Sequence, residues 1–283
     1  MDEPLHKHTM ETREELLLAL KQIEIWEKEQ RDLWFWEKIG RLPFQLLDRL
    51  TPKFLHNKIG EALNELGNYM QAGGRYLISE KSTLKKMESQ LQAAEDHGRS
   101  GQNLTIDTVG FLPLIIMDQT ADEIAKNSTK IATLQGATTG VGGILTLAVD
   151  IPAILGLSLK VIQELAICYG YDPNDRKERI FTIKCLQFSS SDIVGKKAIL
   201  EELGDYSSGK EQTQMISQLQ GWREVFATYR DNWGWKKLFQ LVPIVGIVFG
   251  AWINRGTLQD VSEAARMLYR KRRILERLSG MRA

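Results

Sequence analysis

Three carboxylates and a guanidinium stand out in and just after an apolar helix-like segment: Asp150, Glu164, Asp172 and Arg179. Two carboxylates held close together can share acid and base work or hold a hard cation. Asp150 and Asp172, however, each precede a helix-like segment with a proline close behind, in Asp150-Ile151-Pro152 and Asp172-Pro173. Both read as N-caps: a short carboxylate accepts from the free N–H groups of a first helical turn, where proline is also tolerated. Glu164 lies between Ile162 and Leu165 on a mostly apolar helical segment. The expected role is a buried ion pair, with a basic residue such as Arg179 as partner. The alternative is a soluble enzyme of unknown reaction, with a polar pocket near Asp150, Glu164 and Arg179.

Other chemistry is missing from the sequence. It contains no Gly-x-x-x-x-Gly-Lys-Ser/Thr phosphate loop, no His-Glu-x-x-His and no Gly-x-Ser-x-Gly. The histidines, His6, His8, His56 and His97, are scattered. Cys168 and Cys185 sit in apolar helix-like segments without metal or redox spacing, and read as buried free thiols in a reducing compartment. No catalytic residue, metal or cofactor is expected.

Charge and aromatic residues point toward a membrane. Arg266, Arg270, Arg273 and Arg277 recur at one-turn spacing along one helical stripe, apart from the apolar face of Leu258, Val261, Ala265, Leu268 and Leu275. Such a stripe can meet anionic lipid, each cation near the surface contributing about 1 kcal/mol. It can equally be a face of salt bridges to acidic helices. Trp233-Gly234-Trp235-Lys236-Lys237 precedes an apolar run, and Trp34-Phe35-Trp36 lies near the N-terminus. Tryptophan favours the headgroup region and lysine snorkels toward phosphate, although tryptophan also fills cores.

Small residues at one-turn spacing occur twice, at Gly136, Gly140 and Gly143 and at Gly246 and Gly250. They let helices approach closely, in a bilayer or in a soluble core. The uncharged run from Ile131 to Val149 is long enough to span on paper but weakly hydrophobic, and the run from Leu238 to Ile253 is broken by Pro243. Interfacial contact, a soluble core and a short membrane hairpin all stay open.

The elements that must position these residues are helices. Thr12-x-x-Glu15 is a capping box ahead of Leu16, Leu20, Ile23 and Trp26, and Ser208-x-x-Glu211 is another. Thr51-Pro52 can start a further helix, and Pro113 one that holds Ile116, Thr120, Ile124 and Ile131. Strand alternation and hairpin turns are absent. The fold class is therefore all-α: a single multi-helix domain with a Gly/Ala-rich, closely packed central helical hairpin. The chain has 283 residues and a formal net charge of +1, which supports a sizeable core and argues against a nucleic-acid partner. The charged N-terminus lacks the pattern of a signal peptide, so a cytoplasmic location is expected.

Taken together these motifs resemble the EcsC family. The matching residues are Gln135-Gly136-Ala137 with Gly140 and Gly142-Gly143, Asp150-Ile151-Pro152, Ile162-Gln163-Glu164-Leu165-Ala166, and Tyr169-Gly170-Tyr171-Asp172-Pro173 with Glu178-Arg179. A second block is Leu241-Val242-Pro243-Ile244-Val245-Gly246 with Gly250 and Asn254, and Trp26-Glu27 resembles the family's start. The resemblance implies residues 21–280 as one helical domain, after an extension over residues 1–20. The family takes its name from a bacterial operon that also encodes an ABC transporter, and the resemblance brings no catalytic residue with it. The combined expectation is a non-enzymatic protein at the cytoplasmic face of a bacterial membrane, with anionic lipid or a membrane complex, such as an ABC transporter, as partner.

Overall fold

The computed structural model describes residues 10–31, 69, 77–94, 104–140, 144–191, 193–207 and 243–281. Among them are eight helices and no strand: α1 (Arg13–Arg31), α2 (Glu80–Ala94), α3 (Ile106–Val109), α4 (Leu114–Gly140), α5 (Ile144–Cys168), α6 (Arg176–Ser190), α7 (Ile193–Ser207) and α8 (Pro243–Gly280). The all-α reading holds.

The expected N-terminal cap forms. Glu15 N–H donates to Thr12 Oγ1 at 3.3 Å, and Thr12 N–H donates back to Glu15 Oε2 at 2.8 Å. Thr12 N–H and, at 3.0 Å, the Thr12 hydroxyl both donate to the Glu15 carboxylate and hold it below its ordinary range. Leu16, Ile23 and Trp26 then point inward at helical spacing, and Leu20 packs partly buried against them. Trp26 stacks on Phe188 of α6, ring centroids 5.6 Å apart.

At the centre α4, α5 and α8 pack on one another. Pro113 immediately precedes α4, as expected, and Ile116, Thr120 and Ile124 are buried. Ile131 is not: it is half exposed, and Ser128 and Ala132 continue the buried line. Over four turns the helical period drifts away from a strict spacing, so the inward face rotates past Ile131. The same drift on α8 replaces the expected Leu275 by Ile274 and Leu278.

Two expected caps fall elsewhere. Helix α5 begins at Ile144 and runs through Asp150-Ile151-Pro152, so Asp150 lies within the helix and is not its N-cap. The apolar residues before Asp150 continue the helical face, and this outweighs the local signal. The cap of α6 is Asp175, not Asp172. Asp172 instead closes a turn, its Oδ1 accepting from Asn174 N–H at 2.8 Å and from Asn174 Nδ2 at 2.7 Å. Thr51-Pro52 and Ser208-x-x-Glu211 lie outside the described residues.

Candidate functional site

Helix α5 ends in a Schellman motif. Tyr171 N–H reaches back to Ala166 O and Gly170 N–H to Ile167 O, each at 2.9 Å. Gly170 supplies the left-handed residue that this geometry needs, with φ +76°. It also permits a backbone-to-backbone approach: a Cβ there would lie 2.7 Å from Gly110 N and 2.8 Å from Gly110 Cα.

The basic stripe of α8 reads this junction. Arg273 donates to Tyr169 O at 2.8 Å and to Gly170 O at 3.2 Å. Arg277 donates to Gly110 O and Leu112 O and pairs with Glu11, whose carboxylate also caps Leu114 N–H. One turn back, Arg270 meets Asp118 at 2.9 Å, and Asp118 accepts from Tyr169 Oη at 2.8 Å. A further turn back, Arg266 meets Asp122 at 2.7 Å. Between these arginines, Arg272 pairs with Glu178 at 2.7 Å and lies 4.0 Å over the Tyr171 ring. The stripe and the Tyr-Gly-Tyr-Asp-Pro segment, separate in the sequence, form one arginine-clasped junction.

Burial sets its electrostatics. Desolvation raises the Asp118 carboxyl above its ordinary value, against the pull of Arg270 and the Tyr169 hydrogen bond. It raises Glu178 likewise, against Arg272. Desolvation also lowers Arg277, against the attraction of Glu11. The junction is an ionic seam that fixes α1, α4, α5, α6 and α8 together.

Each of the four stripe arginines is engaged with another part of the protein, Arg266 through a pair at the surface. The side chains of Arg270, Arg273 and Arg277 are only 16%, 13% and 8% exposed. Glu164 is buried in an ion pair as expected, but its partner is Lys160 at 3.0 Å, one turn away on its own helix, and not Arg179. Glu164 and Asp150 share α5, where their sequence separation corresponds to about 21 Å along the axis. Asp150 and Glu164 are therefore not brought together as a carboxylate pair.

Cys168 and Cys185 are buried free thiols, both raised far above the ordinary range, chiefly by desolvation. Gly136, Gly140, Gly246 and Gly250 lie on the helical backbones of α4 and α8. Gly143, Trp34, Trp36, Trp233, Trp235, Lys236 and Lys237 lie outside the described residues. Among the described residues no helix is long and apolar enough to cross a membrane. Nor do any His, Cys, Asp and Glu side chains among them group to hold a metal.

The pairing Asp118–Arg270 and Asp122–Arg266 sets α4 antiparallel to α8. Beyond Arg266 the sign pattern changes: α4 now carries Lys126 and Lys130, and α8 carries Asp260 and Glu263. Here the seam opens into a groove of about 1020 Å³ that also takes in Thr129, Leu134, Arg255 and Ser262. The sequence reading missed this groove. Its residues come from two segments more than a hundred positions apart and match no local motif.

The sequence pattern of the EcsC protein family matches residues 18–274. The chain is 54% identical over 268 residues to "Uncharacterized protein YdbA" of Bacillus subtilis (strain 168), covering 95% of this chain and 96% of that one. It is 32% identical over 163 residues to "Protein EcsC" of the same organism, covering 56% of this chain and 66% of that one. No solved structure matches. The family match takes in nearly the whole arginine-clasped junction and both helices of the groove, and the chain belongs to the EcsC family.

Proposed function

We propose that this protein is a non-enzymatic helical protein of the cytoplasmic face of a bacterial membrane, binding lipid or a membrane complex such as a transporter. One observation carries the reading. On the outer side of α4, Ile131 and Leu134 are 50% and 69% exposed, and the exposed Lys126 and Lys130 lie within the same two turns. Apolar side chains beside unpaired cations suit a headgroup boundary, where the first enter the acyl edge and the second meet phosphate. Further exposed apolar residues, Phe111 and Ile115, lie at the opposite end of α4 and its approach. The buried free thiols fit a reducing compartment, and the Bacillus subtilis relatives fit a bacterial setting.

The test is co-sedimentation of the full chain with phosphatidylglycerol and phosphatidylcholine vesicles at low and high salt. The reading requires salt-sensitive binding to the anionic vesicles, weakened by Ile131→Ser with Leu134→Ser. Absence of binding to every vesicle would overturn direct lipid contact. Replacing Arg266, Arg270, Arg273 and Arg277 by glutamine should chiefly destabilise the fold, because those side chains hold the seam.

A further inference from the structure

We infer that the α4–α8 groove is a binding site for a phosphate ester, with Lys126, Lys130 and Arg255 as its cationic donors and the Ser262 hydroxyl at its floor. The site rests on the groove alone. The membrane reading adds only one source for the ligand, a lipid headgroup.

The charges lining the groove are unequally engaged. Asp122 is neutralised by Arg266 at 2.7 Å. Glu263 accepts the Trp26 indole N–H at 2.8 Å, and Asp260 has a partner of its own. Lys126, Lys130 and Arg255 are exposed and, among the described residues, none of them enters an ion pair or hydrogen bond. Among the described residues the recess is thus lined by three cations with no ion pair of their own, against the charges of Asp260 and Glu263, while Asp122 and Arg266 neutralise one another.

A second observation is independent of charge. Ser262 lines the groove, is 2% exposed, and its Oγ has no hydrogen-bond partner. A helical serine can satisfy its hydroxyl on a carbonyl one turn back, as Ser158 does on Ile154. Ser262 leaves its hydroxyl unpaired just behind the groove wall, where a side-chain rotation would bring it to a bound oxygen. A buried unpaired donor is costly and marks a place where a ligand atom completes the bonding.

The chemistry selects the ligand class. A phosphate monoester carries between one and two negative charges near neutrality and several strong acceptor oxygens. Lysine ammonium groups and an arginine fork are the usual partners for them. The volume of about 1020 Å³ leaves room for the remainder of an ester, with Ala125 and Leu134 as apolar wall.

The test is titration calorimetry of the full chain with sn-glycerol 3-phosphate and with inorganic phosphate, in chloride of matched ionic strength, beside the vesicle assay. The Lys126→Gln, Lys130→Gln, Arg255→Gln variant should lose about a hundredfold in affinity for glycerol phosphate. Ser262→Ala should lose about tenfold, whereas a hydroxyl that only packs would leave affinity unchanged. Lys81→Gln with Lys197→Gln, both exposed and neither lining the groove, should match the parent. If anionic vesicles bind and the triple variant abolishes it, the ligand is a lipid headgroup. If glycerol phosphate binds but vesicles do not, the site stands and the membrane reading falls. If vesicles bind the triple variant as well as the parent while glycerol phosphate affinity is lost, the ligand is a soluble ester; if the triple variant keeps the parent's affinity for glycerol phosphate, or no phosphate compound binds, the phosphate site is overturned.

Discussion

Replacing Gly170 by alanine should be one of the most damaging single-methyl changes in the chain. The backbone there has φ +76°, a left-handed conformation that costs an L-residue with a side chain about 1–2 kcal/mol. The added Cβ would also lie 2.7 Å from Gly110 N and 2.8 Å from Gly110 Cα, with Arg273 Nη2 at 3.0 Å. A flexible side chain could swing aside, but a backbone cannot. Gly110 is moreover held by Arg277 through its carbonyl at 3.2 Å, so relief requires shifting the seam itself. Overpacking of this kind adds about 1–3 kcal/mol, for a combined loss of roughly 2–5 kcal/mol. At about 2–4 °C per kcal/mol for a chain of this size class, the melting temperature should fall by on the order of 5–15 °C. Gly156→Ala is the matched control: it lies in α5 with nothing within 4 Å of the added methyl. It should stabilise by about 0.5–1 kcal/mol, because alanine restricts the unfolded chain and favours helix. Thermal unfolding followed by far-ultraviolet circular dichroism decides both. A Gly170→Ala protein melting within about 2 °C of the parent would refute the close approach and the strain argument together.

Arg270→Met should cost about 2–3 kcal/mol at neutral pH, because it leaves the part-buried Asp118 carboxylate with the Tyr169 hydroxyl but without its ion-pair partner. Burial already holds Asp118 above 3.8, and losing Arg270 raises it further. An acid raised in the folded state stabilises that state when protonated, and the gain disappears as pH rises through the folded pKa. The deficit should therefore shrink from pH 7 toward pH 4, and a pH-independent deficit in denaturant titrations would count against it. Arg277→Met removes the bonds to Glu11, Gly110 O and Leu112 O, and should free the start of α1 for proteolysis near Thr12 at a rate at least tenfold above the parent. Both cysteines should resist a thiol reagent at pH 8 in the native protein and react fully in guanidinium, since Cys168 and Cys185 are buried and raised. Rapid native reaction of either would contradict that burial.

The amino-acid sequence by itself determined the helical class, the Thr12–Glu15 cap, the start of α4 after Pro113, the buried thiols and the family. Each depends on short-range signals: residue period, capping pairs, and a segment such as Tyr169-Gly170-Tyr171-Asp172-Pro173 that survives intact in the linear order. Local signals failed where packing overrode them. Asp150-Ile151-Pro152 reads as a helix start, yet apolar neighbours on both sides carry α5 straight through it. The partners of the arginines, by contrast, emerge only once α4 and α8 have packed. The spacing of the arginines is the same whether they face lipid or carboxylates. The antiparallel register of α4 on α8 brings Asp118 and Asp122 opposite Arg270 and Arg266, and these pairs turn an amphipathic stripe inward. That register also places Lys126 and Lys130 beside Arg255 and Ser262, a site assembled across more than a hundred residues of chain. Coulomb attraction and desolvation act through space, and a linear sequence holds no distances between its charges until the helices have packed.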